Sequence, residues 1–411
     1  MRNYLKYLFA ACCMLLIHSC ADNQEAAFKE VNTKILLKLN NFTGDLENPL
    51  SIKVTNHSGI GNEVSFTREI SHIGDEIQLT NLIPGIYTFT ISGKLTPEES
   101  QEIFGVNSEL LIKANKTSVY VYDYTENESI ELNLEASTVS SLVFKEIYYA
   151  GTKYEAVVGT KTNYFYEQFY EIYNNSDEVV FLDSLCISNV YPTSGVPAEF
   201  DPSLSDYLFG MSVWMIPGTG EDVPLDPGKS IVIALSGRNH KEVDESLLDL
   251  SSADYEAYVL KIDGSAPPLD YPVPNMLSAF WTQSASVRQW LTSVMGGSGM
   301  VIYKLPYTFD ETDTAKPLNS TAATVYVKIP KSAILDAVDC LRDDTRYNEK
   351  RFPASLDAGY ATVTETYNGK SISRKILQTT ADGRIIFQDT NNSSEDFEVQ
   401  DTPQLRRHLN N

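Results

Sequence analysis

Residues 166–183 read YEQFYEIYNNSDEVVFLD, an apolar segment followed by a polar turn and a second apolar segment. Because side chains alternate between the two faces of a strand, Phe169 and Tyr173 fall on one face and Tyr170 and Ile172 on the other. Both faces are apolar, and a strand of this kind is covered on both sides. The first apolar segment therefore predicts a central strand of a sheet.

The same alternation recurs along the chain and predicts an all-β protein. The Asn-Asn-Ser-Asp turn at 174–177 tolerates left-handed backbone, so we expect the chain to return through Val180 and Leu182 as the second strand of a hairpin. Further apolar segments bounded by turn residues predict strands near 35–39, 52–54, 77–79, 86–91, 110–112, 119–124, 130–134, 142–149, 225–235, 300–304 and 334–340.

The first 19 residues predict a lipoprotein signal peptide. Arg2 and Lys6 precede the apolar run LFAACCMLLI, and the small residue Ser19 stands directly before Cys20. The alternatives are a membrane-spanning anchor or a plain secretory signal with a chance cysteine. The apolar run is shorter than the roughly 20 residues that cross a bilayer. We therefore expect Cys20 to carry lipid, since two or more acyl chains anchor a protein stably.

The composition after the signal peptide is consistent with a lipid-anchored protein. Residues 20–32 are polar and acidic and predict a tether between the anchor and the folded part. The whole chain has a formal net charge of −23, which argues against nucleic acid and anionic membrane surfaces as partners. The expected location is the outer membrane, with the periplasmic and cell-surface faces both left open.

Two cysteines, Cys186 and Cys340, remain beyond Cys20 and the leader. They would be able to form one disulfide in an oxidising compartment. Cysteines in apolar segments are more often buried free thiols, which is the interpretation we favour. Neither belongs to a CxxC pair, so a zinc or thioredoxin-type site is unsupported.

A Pro-Gly pair lies in the segment NLIPGIYTFTISG, residues 81–93. Pro84 and Gly85 fit the centre of a type II turn, in which glycine takes the positive φ. This Leu-x-Pro-Gly-x-Tyr pattern resembles a hairpin of transthyretin-like or carboxypeptidase-regulatory β-sandwiches. The resemblance implies that residues 33–136 form a structural or spacer module of prealbumin or immunoglobulin-like type, without catalysis.

A second resemblance covers residues 142–400, which follow a seam of small residues. The segments EIYNNSD, VVFLDSLCIS, LDPGKSIVIA, MVIYK, ILDAVDC and DTNNSSEDF come in the order seen in lamin-tail-type domains, which are immunoglobulin-like β-sandwiches. Leu185 and Cys186 stand where that family usually has Gly-Trp, and the span exceeds twice one sandwich. The whole arrangement is similar to uncharacterised surface lipoproteins of gut anaerobes. Residues 401–411 are expected to be a tail.

The surplus length is expected in two insertions, at about 191–224 and 237–298. Five prolines in the first predict that it contains no regular sheet, and 263–275 is a second proline-broken loop. Residues 243–259 have capping residues and loosely helical apolar spacing, which predict one or two short helices. Residues 276–295 fit either a helix or a strand.

No catalytic motif or cofactor fingerprint is present, and we expect no catalytic residue, no cofactor and no enzymatic activity. The sequence contains no HExxH, GxSxG, Walker loop or dinucleotide fingerprint. GGSG at 296–299 is expected to be a flexible turn. Asp389, Asn391 and Asp396 have the alternating oxygens of a calcium loop but not the glycine and glutamate of an EF-hand. An Asx-rich turn is favoured there, and the metal prediction is none.

Three tryptophans, Trp214, Trp281 and Trp290, lie in or beside the insertions and are the candidate ligand-binding aromatics. The alternative is that the aromatics there form a satellite core. The leading hypothesis is a lipid-anchored, non-enzymatic binding or scaffold protein with an outer-membrane protein partner. A glycan-binding lipoprotein that serves a nutrient transporter, and a hydrolase with carboxylates from separate loops, are the alternatives.

Overall fold

The computed structural model describes residues 29–58, 65–107, 109–125, 128–137, 140–192, 195–257, 270–281, 297–305 and 309–409. In this part the chain is all-β and built from β-sandwiches, as predicted. The signal peptide, Cys20 and Trp290 lie outside the described residues.

The N-terminal strands form two sheets around one core. The five-stranded sheet has the order β3-β2-β5-β6-β8, and the three-stranded sheet has the order β4-β1-β7. Alternating residues such as Ile52, Val54, Phe89 and Ile91 point into the core between the two sheets. The elements are β1 (Val31–Lys38), β2 (Gly44–Asn56), β3 (Ser65–Ile73), β4 (Glu76–Leu82), β5 (Gly85–Leu95), α1 (Pro97–Phe104), β6 (Leu110–Val121), β7 (Ser129–Asn133) and β8 (Glu135–Ser137).

The C-terminal strands form a larger sandwich. One sheet has the order β18-β17-β12-β9-β25-β28; the other has the order β21-β22-β15-β14-β20-β23-β24, with β19 also paired to β15. The elements are β9 (Leu142–Tyr148), β10 (Thr152–Val157), β11 (Thr160–Tyr164), β12 (Phe169–Asn174), β13 (Val180–Phe181), β14 (Cys186–Val190), β15 (Tyr207–Met215), β16 (Pro224–Leu225), β17 (Ser230–Ala234), β18 (Tyr255–Glu256), β19 (Leu277–Trp281), β20 (Gly297–Tyr303), β21 (Thr314–Ala315), β22 (Tyr326–Pro330), β23 (Ile334–Leu341), β24 (Ala361–Thr362), β25 (Ser371–Arg374), β26 (Ile376–Thr379), β27 (Ile385–Phe387), α2 (Ser393–Asp396) and β28 (Phe397–Gln400).

Short 3-10 helices complete the described elements. They span Asp123–Thr125, Pro202–Leu204, His240–Glu242, Glu311–Asp313, Lys331–Ala333 and Asp344–Glu349. Several begin with an aspartate whose carboxylate accepts from a backbone N–H two residues on, as at Asp201, Asp310 and Asp343. These caps satisfy backbone donors that a single helical turn leaves without partners.

Strand β12 is central, as its two apolar faces predict. It lies between β17 and β9, and all of its residues are buried. Tyr170 and Ile172 join the main core between the sheets. Tyr173 points to the opposite face, where its ring meets Phe387 edge-on at 4.8 Å. The hairpin β26–β27 that carries Phe387 thus covers the outer side of this sheet.

The predicted hairpin between this strand and residues 180–183 is wrong. β13 pairs with β16, not with β12, and the chain then continues into β14 of the other sheet. Asn174 fixes the crossing, because its Nδ2 donates to the carbonyl oxygens of Glu178 (2.7 Å) and Leu225 (2.8 Å). The polar turn is therefore a link between sheets, which the local pattern does not distinguish from a hairpin.

The prediction of no regular sheet within 191–224 is also wrong. β15 occupies Tyr207–Met215 and pairs with β14 on one side and with β22 and β19 on the other. The prolines lie before and after this strand, so the proline rule is obeyed while a nine-residue strand fits between them. Aromatics of this insertion pack on each other, with the rings of Phe200 and Phe209 stacked at 3.4 Å, as the satellite-core alternative anticipates.

Three local predictions need correction. Within the described part of 243–259 the chain forms loops and the two-residue strand β18, not helices. The GGSG segment is part of strand β20 from Gly297 onward, not a flexible turn, because it pairs with both β14 and β23. Gly85 does not take a positive φ; it is required because a Cβ there would lie 2.4 Å from the Ser58 hydroxyl.

The two cysteines are buried free thiols, as favoured from the sequence. Cys186 packs in the core on the outer side of its sheet, and Cys340 packs in the core between the two sheets. The sheet therefore separates the two sulfur atoms. Burial raises the pKa of Cys186 to about 12, so this thiol is protonated at neutral pH.

Candidate functional site

The two sandwiches meet at a polar sheet face. On β2, β5 and β6, residues that alternate with the core positions point toward the C-terminal sandwich. The register places Thr55 beside Thr88, Lys53 beside Thr90, and Thr90 beside Asn115. The inner face of this sheet is apolar, whereas these positions on its outer face present hydroxyls, amides and amines.

A cleft of about 330 Å³ lies between this face and the C-terminal sandwich. Its opposite wall comes from segments 344–362 and 392–399 and from Ile372 of β25, all in the C-terminal sandwich. Most lining groups are neutral and polar, and there are few charges of either sign. The lining residues are Lys53, Thr55, His57, Ser65, Thr88, Thr90, Asn115, Thr117, Asp344, Lys350, Gly359, Tyr360, Ala361, Thr362, Ile372, Asn392, Ser393, Ser394, Phe397, Glu398 and Val399.

Specific polar contacts join the walls. Asn115 Nδ2 donates to the carbonyl oxygen of Ala358 at 2.6 Å and to Thr90 Oγ1 at 3.0 Å. The backbone N–H of Ser355 donates to Glu135 Oε2 at 3.0 Å. At the rim, the rings of His57 and Tyr347 stack at 3.7 Å with their planes 5° apart. These contacts help to fix the orientation of the two walls.

Lys113 places a buried amine at this junction. It lies on the same face of β6 as Asn115, two residues away, and only 1% of it is exposed. Burial lowers the pKa of its amine, and the nearby carboxylates of Asp396 and Asp389 partly offset that shift. A buried cation on one sandwich thus faces acidic residues of the other.

Three ionisable groups in the cleft have pKa values shifted toward their neutral forms. Burial lowers the pKa of His57, and Asp344 only partly restores it, so the imidazole is neutral at pH 7. Burial, followed by the charge of Asp344, raises the pKa of the Tyr360 phenol. Burial also lowers the pKa of Lys350. The cleft therefore offers mainly neutral hydrogen-bond donors and acceptors.

Three tyrosines lie next to this cleft. Tyr120 lies near the end of β6, Tyr122 directly follows the strand, and Tyr124 lies in the 3-10 helix Asp123–Thr125. Neighbouring rings are close to parallel. The ring centroids are 6.5 Å apart for the first pair, with planes 26° apart, and 5.4 Å for the second pair, with planes 6° apart. Tyr120 is 57% exposed and Tyr124 is 72% exposed.

Trp214 is the one candidate tryptophan whose side chain the structure describes, and it does not line the cleft. Trp214 is fully buried in the core between the sheets, which corrects its assignment as a ligand-binding aromatic. The backbone of Trp281 belongs to β19 beside Ser212, and its side chain lies outside the described part, as does all of Trp290. Trp214 lies on β15, the strand that the sequence did not predict.

The oxygens of the candidate calcium loop bind an arginine. Arg374 Nη1 lies 3.2 Å from Asp389 Oδ1 and 3.4 Å from Asp396 Oδ2. Asp396 also accepts from the backbone N–H of Thr390 at 2.9 Å. The segment is an Asx-rich turn before the last strand, as favoured from the sequence. In the described part of the chain no three His, Cys, Asp or Glu side chains are grouped to hold a metal ion.

Comparison with known families matches residues 226–404 to the family described as "Protein of unknown function (DUF4876)". A crystal structure of a DUF4876 family protein from Bacteroides thetaiotaomicron is 30% identical to this chain. The alignment covers 92% of this chain and 97% of that one, with a TM-score of 0.59. The chain belongs to the DUF4876 family. This result confirms the expected kinship with an uncharacterised family of gut bacteria.

Other comparisons add little to the DUF4876 assignment. A crystal structure of a candidate adhesin from Bacteroides ovatus aligns over 76% of this chain and 88% of that one, at 9% identity and a TM-score of 0.21. Similarity this low supports no inference about this chain. No curated protein matches the chain. No helix in the described residues is long and apolar enough to cross a membrane. The resemblances to transthyretin-like and lamin-tail domains stay predictions.

A sequence signal for the tyrosines exists, although sequence reasoning used it only to predict a strand. In YVYDY, residues 120–124, the tyrosines recur every second position and Val121 is buried between them. Three large rings at every second position, one at the end of β6 and two directly after it, mark a candidate surface. The cleft itself has no comparable signal, because its walls come from segments more than 200 residues apart.

Proposed function

We propose that this DUF4876 protein is a non-enzymatic, lipid-anchored binding protein of the outer membrane, and that its cleft binds a neutral carbohydrate. The observation that carries the proposal is the lining of the cleft, where hydroxyls and amides outnumber charged groups. Sugars present many hydroxyls, each of which both donates and accepts. A wall of Thr, Ser, Asn and Tyr side chains matches them without the desolvation cost of charged groups.

The size of the cleft also suits this ligand. Ligand sites generally have volumes of about 300–1,000 Å³, so about 330 Å³ is at the small end of the range. Sites between domains are common places for ligands. Polar contacts join the two walls, and a ligand that bridges both walls would add to the stability of the junction.

Native affinity electrophoresis tests the carbohydrate assignment. Gels containing soluble starch, dextran, linear β-mannan or xylan are run with the chain from residue 21 onward, and with chondroitin sulfate as a charged comparison. At least one neutral polysaccharide is expected to retard the protein, and chondroitin sulfate is not. If none of the neutral polysaccharides retards it, the assignment is wrong, and a protein partner, the leading expectation from the sequence, takes its place.

A matched pair of variants locates the binding. Thr55→Trp places a large ring in the cleft and is expected to weaken retardation by about tenfold or more, because the ring and the ligand compete for one space. Thr162→Trp makes the same change at an exposed position on β11 and is expected to leave retardation unchanged. Equal retardation of the two variants would place the ligand elsewhere.

The anchor is tested by fractionating cells that express the full chain or Cys20→Ser. The full chain is expected in the detergent phase of the membrane fraction, because acyl chains on Cys20 hold it there. Cys20→Ser is expected to lose that partitioning while the folded part stays intact. Equal partitioning of both proteins would show that Cys20 is not the attachment point.

A further inference from the structure

We infer that Tyr120, Tyr122 and Tyr124 form an extended subsite that binds further sugar residues of a glycan chain whose first residues occupy the cleft. This inference rests on the proposed carbohydrate function and specifies its ligand class, a neutral oligosaccharide rather than a single sugar. We call these three side chains the tyrosine ladder.

Strand register places the ladder beside the cleft. Tyr120 is the direct partner of Ile86 across the β5–β6 pair, and direct partners point to the same face of a sheet. Ile86 lies two residues from Thr88, and residues two apart in a strand share a face. Thr88 lines the cleft. Tyr120 therefore continues the cleft floor by one position along the strands.

A β-bulge in β6 places Tyr120 on the face of the sheet that lines the cleft. Phe89 pairs with Lys116 and Tyr87 pairs with Val119, so β6 has one more residue than β5 between these pairs. Ser118 takes a positive φ of 56° at this point. The extra residue places Val119 in the core and Tyr120 on the wet face. Bulges commonly redirect side chains next to functional sites.

The chemistry of the ladder favours a neutral sugar chain. A tyrosine ring has an apolar face that packs against the C–H face of a sugar, and a hydroxyl that reaches sugar hydroxyls or water. Asp123 lies between two tyrosines of the ladder and Glu128 follows it, and the whole chain has a net charge of −23, so an anionic glycan would be repelled. Burying such rings against a ligand also removes exposed aromatic surface from water.

Dependence on chain length tests this inference. The disaccharide and the hexasaccharide of each polysaccharide that retards the protein, such as maltose and maltohexaose for starch, are titrated by calorimetry. Wild type is expected to bind the hexasaccharide about tenfold more tightly than the disaccharide, since only the longer chain reaches the rings. Tyr120→Ala/Tyr124→Ala is expected to remove that gain and to leave disaccharide affinity and melting temperature unchanged.

Tyr166→Ala, at another partly exposed tyrosine, is the matched control and is expected to match wild type for both ligands. Equal affinity of wild type for the two lengths would overturn the subsite while leaving the cleft assignment intact. The subsite would also be overturned if Tyr120→Ala/Tyr124→Ala kept its hexasaccharide affinity, or if it lost affinity for both lengths equally. Absence of any retarding polysaccharide is a separate readout that rejects the proposed function itself, and the subsite with it.

Discussion

Replacing Arg374 with methionine is expected to destabilise the protein by about 3–5 kcal/mol, one of the two largest effects among the changes considered. The Arg374 side chain is only 1% exposed, and its Nη2 lies 2.7 Å from Asp336 Oδ2. Asp389 and Asp396 contact the same guanidinium, and its Nε donates to the carbonyl oxygen of Phe144 at 2.8 Å. Methionine keeps the apolar stem but leaves three buried carboxylates without their cation.

The loss should depend on pH in a defined direction. Burial raises the pKa of Asp336 to about 7, against the pull of Arg374, with the Asp389 carboxylate adding to the rise. The native carboxyl thus holds its proton more tightly than the unfolded one, whose ordinary pKa is about 3.9. Its contribution to stability is full below that ordinary value and is lost as pH rises through about 7.

Removing the cation raises the carboxyl pKa values of Asp336 and Asp396 further, because an attractive charge has gone. Arg374→Met should therefore cost less stability at pH 5, where protonation relieves the repulsion, than at pH 8. Urea denaturation at both pH values measures this difference. Lys370→Met, which breaks a pair whose side chains are 35% and 89% exposed, is the control and should cost about 0–1 kcal/mol. An Arg374→Met loss below that of the control, or one independent of pH, would contradict this account of the cluster.

Trp214→Ala is expected to produce the other large loss, about 3–5 kcal/mol in the free energy of unfolding. The side chain is fully buried between the two sheets, so its removal takes away apolar contacts and leaves a cavity. Trp214→Phe retains an aromatic ring and should cost less. Denaturant titration measures both losses, with Tyr124→Ala, at a 72% exposed side chain, as a control expected within about 0.5 kcal/mol of wild type.

The Trp214→Ala variant also separates an effect on stability from an effect on ligand binding. Because Trp214 lies in the core and does not line the cleft, polysaccharide retardation of the folded Trp214→Ala protein should equal that of wild type. Unchanged stability combined with lost retardation would instead return Trp214 to the ligand-binding role that its place in the sequence suggested.

Local pattern predicted the strands better than their partners. The two apolar faces of residues 169–173 correctly indicate a central strand, since burial on both faces is written in single residues. The pairing partner of that strand cannot be predicted from single residues, because a polar turn serves equally well for a hairpin and for a crossing to another sheet. Strand β15 was missed for a related reason: prolines on both sides masked nine residues that obey the strand pattern.

Neither the buried ion pairs nor the cleft could be predicted from single segments of the sequence. Lys145 and Glu171 are both 0% exposed and pair at 2.7 Å, but each looks like an ordinary surface residue in its own segment. The cleft needs Thr55 and Asn115 from one sandwich and Tyr360 from the other, and only the packing of the sandwiches brings them together. Trp214 was a candidate because tryptophan in an insertion suggests a surface, whereas β15 carries it into the core.

The central claim is that the cleft between the sandwiches holds the ligand, and hydrogen–deuterium exchange with and without a bound oligosaccharide tests it most directly. We predict slower exchange in both walls at once, in residues 53–57 and 86–90 of the N-terminal sandwich and in residues 358–362 and 392–399 of the C-terminal one. Slower exchange confined to one wall, or located only away from these segments, would contradict the claim.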